Sequence, residues 1–209
     1  MSRLKCIIFD CDGVLFDSKG ANRVYYNHLL ANFGHPPMSE DEVDFVHIHH
    51  VMDSVQHIFR HYPEDIEKAN QYRLSHDYTP YLEHMIMEPD LLEFLELIKD
   101  DYRTAISTNR TTTLPKVLEL FKLVPYFEMV VSALDVDHPK PHPQALERIL
   151  DSFGLTAEEA VYIGDSIVDR EHSAGIGMEL IAFKNPGLPA EYHVNSFMEI
   201  TRLPLMQKG

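Results

Sequence analysis

Apolar residues in this chain come in short runs separated by helical patterns. The runs are LKCIIF (4–9), RTAIST (103–108), EMVVSA (128–133), AVYIG (160–164) and ELIAF (179–183). Each is nearly continuous in apolar or β-prone residues, the signature of parallel strands covered on both faces rather than of strands with one wet face. Between them lie PDLLEFLELIKDD (89–101), TLPKVLELF (113–121) and PQALERILDSFG (143–154), where apolar positions recur three and four apart. The first opens on a proline suited to a first helical turn, and the last ends on Gly154, a natural left-handed stop. Strands alternating with helices predict a doubly wound α/β fold with a parallel sheet.

One interval breaks the rhythm. After the first run, about 70 residues pass with no strand pattern, far more than an unstructured connection tolerates. They carry helical patterns at 21–34, 40–50, 53–62 and 64–85. The pattern predicts an inserted all-helical domain over 18–86, entered near Asp17–Ser18 and left near Ile86–Pro89, with residues 1–17 and 87–209 forming the core.

Composition narrows the functions such a fold could serve. The 44% hydrophobic content supplies a globular core. The formal net charge of −15 opposes a nucleic-acid or anionic-membrane surface, which needs clustered Lys and Arg. It leaves room for a small anionic ligand, because a metal and a few cations can reverse the local potential. Cys6 and Cys11 are five residues apart in and just after the first run, no basis for a disulfide framework, so a reducing compartment is expected. With no run of transmembrane length and no signal-peptide pattern at MSRLKCIIFD, the expected location is the cytoplasm.

The candidate chemistry sits where strands end, which is where doubly wound sheets bind ligands. Asp10-Cys11-Asp12 follows the first run, Thr108-Asn109-Arg110 the second, Lys140 the third, and Gly164-Asp165-Ser166 the fourth, with Asp169 four residues on. Each has a bland alternative: a turn at Asp12-Gly13, an N-cap at Thr108 or Thr112, a solvated Lys140-Pro-His-Pro loop, helix caps at Asp165 and Ser166. Four at one sheet edge are hard to attribute to capping, and the set suits phosphate. Asp10 and Asp165 are hard oxygen ligands for Mg2+, and a carboxylate can attack phosphorus. Lys140 would neutralise charge there, while the Thr108 hydroxyl and the N–H groups after it would hold phosphoryl oxygens.

DCDGV, the STN run, the KPHP lysine and GDSIVD, in that order, resemble motifs I to IV of the haloacid dehalogenase superfamily of phosphohydrolases. The insertion after the first motif resembles its subclass with a C1 helical cap, and the whole chain is similar to phosphoglycolate phosphatase-like and β-phosphoglucomutase-like members. The resemblance implies Asp10 as nucleophile and Asp12 as general acid, then base. It implies Mg2+ held by Asp10, the Asp12 carbonyl and Asp165, with Asp169 behind them orienting a metal-bound water or Lys140. It implies Thr108 and Lys140 in catalysis and Asn109 and Arg110 at the phosphate. Members that cleave carbon–halogen bonds lack an acid at the place of Asp12, since a halide leaves without a proton; an alkoxide needs one. Asp12 therefore points to phosphoryl transfer, which a phosphatase and a phosphomutase share; the expected activity is a phosphatase acting on a small phosphorylated metabolite, as monomer or homodimer. A phosphomutase is the nearest alternative. VHIHHVMDSVQHIF (46–59) is similar to the mutase specificity loop, but Ile48 and Val51 stand where that loop carries a glycine and a phosphate-gripping arginine, which favours the phosphatase. His49 and His50 fall in this loop as candidate substrate contacts.

Three competing readings are weaker. His57 and His61 have i, i+4 spacing but no accompanying ligands in a zinc pattern. Cys11, between two acids, is expected to pack rather than react. A receiver-type phosphoacceptor shares the acids, threonine and lysine but has its acidic pair before the acceptor, no acid two residues after it and no insertion of about 70 residues. A binding protein on the same scaffold would have no need of Asp10, Asp12, Lys140 and Asp165 together.

Overall fold

In the computed structural model, residues 4–49 and 51–207 are described. In chain order the regular elements are β1 (Cys6–Phe9), β2 (Phe16–Asp17), α1 (Lys19–Asn32), α2 (Glu40–Ile48), α3 (Val51–Ile58), α4 (Ile66–Ser75), β3 (Ile86–Met87), α5 (Leu91–Ile98), β4 (Arg103–Ser107), α6 (Leu114–Leu120), β5 (Met129–Val131), α7 (Gln144–Phe153), β6 (Ala160–Gly164), α8 (Ile167–Ala174), β7 (Glu179–Phe183), β8 (Tyr192–Val194) and α9 (Phe197–Ile200). The chain divides into two compact units, Met1–Phe16 with Met87–Gly209, and Asp17–Ile86. Both crossings of the chain lie in the two-stranded β2–β3 ribbon.

The larger unit is a parallel sheet in the order β5-β4-β1-β6-β7-β8. β1 sits at its centre, Ile8 lying between Ala105 and Tyr162. The chain steps outward from β1 to one edge and then to the other, so β1, flanked by β4 and β6, marks the switch point where such folds open a crevice. Alternation along β1 fills both faces. Cys6 and Ile8 join Leu146, Ile149 and Leu150 of α7 and Leu180 of β7, while Phe9 meets the rings of Phe94, Phe127 and Phe197. All four residues of β1 are fully buried, each large apolar one contributing about 1.5–3 kcal/mol.

All five expected strands form, β6 and β7 over their full runs and β1, β4 and β5 trimmed at the ends. The sixth, β8, is three residues long and reads Tyr-His-Val, too short and too polar to register as a run. Helices α5, α6 and α7 lie within their expected spans, and Gly154 ends α7 at φ 65°. The smaller unit is helical, with a core built on Tyr26, Leu29, Val43, Val55 and Phe59. Its expected 64–85 helix is broken. α4 stops at Ser75, and a 3-10 turn over Thr79–His84 follows. Asp77 accepts from the Thr79 N–H at 3.0 Å and Pro80 follows it, so a local side-chain bond and a residue without an N–H compete with the helix.

Candidate active site

The residues that end β1, β4 and β6 are held by the sheet itself. The Asp10 N–H donates to the Ile163 carbonyl at 2.9 Å and the Thr108 N–H to that of Val131 at 3.1 Å, extending the ladder one residue past each strand. The chain then turns at Gly13, with φ 84°; a Cβ there would lie 2.1 Å from an Asp165 oxygen. Glycine is required twice over, for the backbone angle and for the approach of the two acidic loops.

Lys140 is the hub. Pro141 and His142 of its loop are exposed, but the Lys140 side chain turns inward and is 4% exposed. The ammonium lies 2.8 Å from Asp10 Oδ1, 2.7 Å from Asp169 Oδ1 and 3.0 Å from the Tyr162 hydroxyl. Burial works against its charge, but Asp10 and Asp169 hold its pKa above the ordinary lysine value. Burial would likewise raise Asp169; the Lys140 charge and hydrogen bonds from Lys140 and Ser166 bring it below the usual carboxylate range. Both Asp169 oxygens are occupied. Oδ1 faces Lys140 and Tyr162, and Oδ2 accepts from the Asp165 N–H, the Ser166 N–H and the Ser166 hydroxyl. The capping reading of this segment is thus also true: Ser166 and Asp169 form a capping box on α8.

Asp10 and Asp165 are less well compensated. Burial, then the charges of Asp169 and Asp12, push Asp10 up to about 7 against the pull of Lys140. Burial, then Asp169 and Asp10, push Asp165 up to about 8. Asp10 Oδ1 lies 2.8 Å from the Lys140 ammonium and has no other partner among the described residues. Asp10, Asp165 and Asp169 each offer an oxygen within 4.8 Å of the others. Four carboxylates, counting Asp12, face the two cations Lys140 and Arg110, an excess of two negative charges. A hard divalent cation fits this donor set and this deficit.

Arg110 does something the spacing did not suggest. Its guanidinium forks onto Asp12, Nε donating to Oδ2 at 2.9 Å and one Nη to Oδ1 at 2.5 Å, while the other Nη donates to Thr113 Oγ1 at 3.0 Å. Asn109 Nδ2 donates to the Lys140 carbonyl at 3.0 Å, tying the end of β4 to the lysine loop; its Oδ1 is buried without a partner. The Thr108 hydroxyl accepts from the Arg110 N–H at 3.1 Å, and neither Thr108 nor Thr112 caps α6, which begins after Thr113. Cys11 is buried and free, its thiol pushed up by burial and the nearby Asp12 charge. Cys6 is also free and buried.

Of the loop histidines, His49 stacks on Phe45 at 3.8 Å and its Nδ1–H donates to the Phe45 carbonyl; His57 stacks on the same ring. His50 lies outside the described residues. Three participants went unnoticed in the sequence. Tyr162 supplies a hydroxyl to Lys140, Asn185 Nδ2 donates to the Asp165 carbonyl at 2.7 Å, and His172 lies behind the lysine loop. Only Tyr162 left a signal: a buried tyrosine in an apolar strand needs a partner for its hydroxyl.

Comparison with known proteins agrees with this layout. The family described as haloacid dehalogenase-like hydrolase matches residues 7–183. The pyrophosphatase PpaX of Bacillus pumilus is 26% identical over 80% of this chain and 77% of its own. The phosphoglycolate phosphatase of Aliivibrio fischeri is 27% identical over 86% and 83%. A solved structure of a subfamily IA, variant 1 hydrolase of the same superfamily from Geobacter sulfurreducens is 36% identical, covers 99% of this chain and 98% of that one, and superposes with a TM-score of 0.83. With this family model spanning most of its length and all four motifs converging at one sheet edge, the chain belongs to the haloacid dehalogenase-like hydrolases.

Proposed function

We propose that this hydrolase is a Mg2+-dependent phosphatase of a small phosphorylated metabolite, working through a phosphorylated Asp10. The observation that carries the reading is Lys140, buried between Asp10 and Asp169, two acids that cluster with Asp165. Asp10 and Asp165, with the Asp12 carbonyl, would hold the ion. When bound, it would offset the negative charge of the site and polarise phosphoryl oxygens.

An Asp10 oxygen attacks phosphorus, and the bond from phosphorus to the leaving oxygen breaks. Asp12 gives its proton to that oxygen, releasing an alcohol and leaving an aspartyl phosphate. Asp12, now a carboxylate, takes a proton from water. The water oxygen bonds to phosphorus, the Asp10–phosphorus bond breaks, and inorganic phosphate departs. Lys140 stays beside Asp10 throughout and stabilises the charge on the phosphoryl oxygens, with the Thr108 hydroxyl and Asn109. Asp169, with both oxygens engaged, orients Lys140 rather than binding the ion. Arg110, forked on both Asp12 oxygens, pairs with its carboxylate form and must release it when Asp12 carries the proton. The two curated relatives, a pyrophosphatase and a phosphoglycolate phosphatase, support phosphoryl chemistry and leave the substrate open.

The test is a phosphometabolite panel with and without Mg2+, alongside Asp10→Asn. Hydrolysis should require Mg2+ and fall by at least roughly a thousandfold in the variant, with circular dichroism unchanged. Phosphate should be trapped on Asp10 by rapid acid quench and peptide mass analysis. Undiminished turnover in EDTA, or label on another residue, would overturn the reading.

A further inference from the structure

His172 has no place in the reaction above, yet it is fully buried and makes two hydrogen bonds. Its Nδ1 lies 2.7 Å from the His142 carbonyl and its Nε2 2.8 Å from the Ser107 hydroxyl. A carbonyl only accepts, so the proton is on Nδ1, and Nε2 accepts from the serine. Burial, then the Lys140 charge, push the ring down to about 3, so it is a neutral imidazole with a defined tautomer.

The ends of these bonds are what single the ring out. Ser107 is the last residue of β4 and precedes Thr108. His142 is two residues after Lys140, and His172 is three residues after Asp169 on α8. The lysine loop is pinned at two points, its Lys140 carbonyl by Asn109 and its His142 carbonyl by His172. The C-terminal end of α8 is pressed against the same loop, since a Cβ on Gly175 would meet Pro143 at 3.0 Å. A flexible side chain or a water could satisfy the same polar groups, but a planar ring holds its two partners at a fixed separation.

Building on the function proposed above, we propose that His172 is a positioning residue for Lys140. Its ring sets the spacing of β4, the lysine loop and α8, keeping the ammonium between Asp10 and Asp169. Lys140 acts on charge that develops as phosphorus is attacked, so a displaced ammonium lowers kcat with little effect on ground-state binding.

Three variants test this with p-nitrophenyl phosphate and Mg2+: His172→Phe, which keeps a ring but removes both nitrogens, His172→Gln, which can keep one bond, and Ser107→Ala. The expected losses in kcat are about tenfold for His172→Phe, about threefold for Ser107→Ala, and an intermediate value for His172→Gln, each with KM within about twofold. Ser107→Ala combined with His172→Phe should be no worse than His172→Phe alone, because the serine acts through the ring. Melting temperature separates folding from rate. An unchanged kcat per folded molecule, or equal shifts in kcat and KM, would overturn the proposal. If His172→Phe does not fold, Ser107→Ala decides. The Lys140 13Cε resonance supplies a readout free of turnover and should move in Ser107→Ala; an unmoved signal would overturn the proposal. A wild-type chain that cleaves no phosphate ester would sink the parent function, and the Lys140 resonance would still decide this one.

Discussion

The inserted unit and the buried sheet edge of the core use charge and histidine in opposite ways. In the insertion the ion pairs lie on the surface: Arg23 with Glu40 at 2.6 Å, Arg60 with Glu42, and Lys68 with Asp65. Its histidines lie against aromatic rings, His35 on Tyr62 and both His49 and His57 on Phe45. In the core, Lys140, Asp10 and Asp169 are nearly excluded from solvent, and the imidazole of His172 is bonded at both nitrogens. Water screens the first set, and each side chain has alternatives. The second set has none, so every group there is either matched by a neighbour or displaced in pKa. The same residue types decorate the surface of both units, as at Lys99–Glu96 and Arg103–Glu128 of the core, and define geometry at the buried sheet edge, and burial makes the difference.

The largest expected effect breaks the comparison at Lys140. Lys140→Met leaves Asp10 and Asp169 facing each other without a cation. It should cost about 3–5 kcal/mol of stability, read by denaturant titration, and lower kcat by at least about a thousandfold. Arg23→Met, which removes an equally short pair in the insertion, should leave the melting temperature unchanged. Equal losses from the two would show that burial is not what distinguishes them.

Arg110→Met should act through Asp12. Losing the fork removes the partner that holds Asp12 in place between proton transfers, so alkyl phosphates, whose leaving groups need a proton, should slow by about tenfold or more. Hydrolysis of p-nitrophenyl phosphate should slow by less than about threefold. Arg110→Lys cannot rebuild a bidentate contact and should resemble Arg110→Met. Uniform losses would return Arg110 to direct contact with the phosphoryl group.

A third measurement follows from the raised carboxyls. Asp10 at about 7 and Asp165 at about 8 bind protons more tightly folded than unfolded. Their contribution to stability is complete below the ordinary carboxylate pKa and is lost as pH rises through 7 and 8. Asp169 has the opposite sign, and its contribution is lost only in acid, outside this window. Without divalent cations the melting temperature should fall by roughly 3–6 °C between about pH 5.5 and 8.5. Mg2+ should remove most of that fall, and Asp165→Asn should flatten it. A fall that Mg2+ leaves untouched would argue against an ion at these carboxylates.

The smallest effect concerns the specificity-loop reading. His49→Ala removes a stacked ring and a bond to the Phe45 carbonyl, and should lower the melting temperature by about 1–3 °C. Turnover of p-nitrophenyl phosphate should not change. A loss confined to the preferred metabolite would place His49 among the substrate contacts.

The strands, their parallel arrangement and the helical character of the insertion were legible because each depends on which residues avoid water, and that preference is written locally. The four acidic and basic clusters were legible as a group because strand ends in a parallel sheet share one edge. Distances over a hundred residues were not. Arg110 reads as a phosphate ligand from its neighbours Thr108 and Asn109, but its partner Asp12 is 98 residues away and was brought there by the pairing of β1 with β4. Asp169 reads as a group behind the ion that orients a water or Lys140, but not as one whose oxygens hold five donors, four from its own turn and strand and one from Lys140. His172 left no trace, because a histidine in an amphipathic helix is ordinary until the ring is seen between Ser107 and His142. The amino-acid sequence by itself determined the five main strands, the helical character of the insertion and which groups would gather at the sheet edge, though not β8 or the break after Ser75. Only the tertiary structure decided which oxygen each cation holds, because burial and hydrogen-bond direction are properties of the packed chain and not of any segment in it.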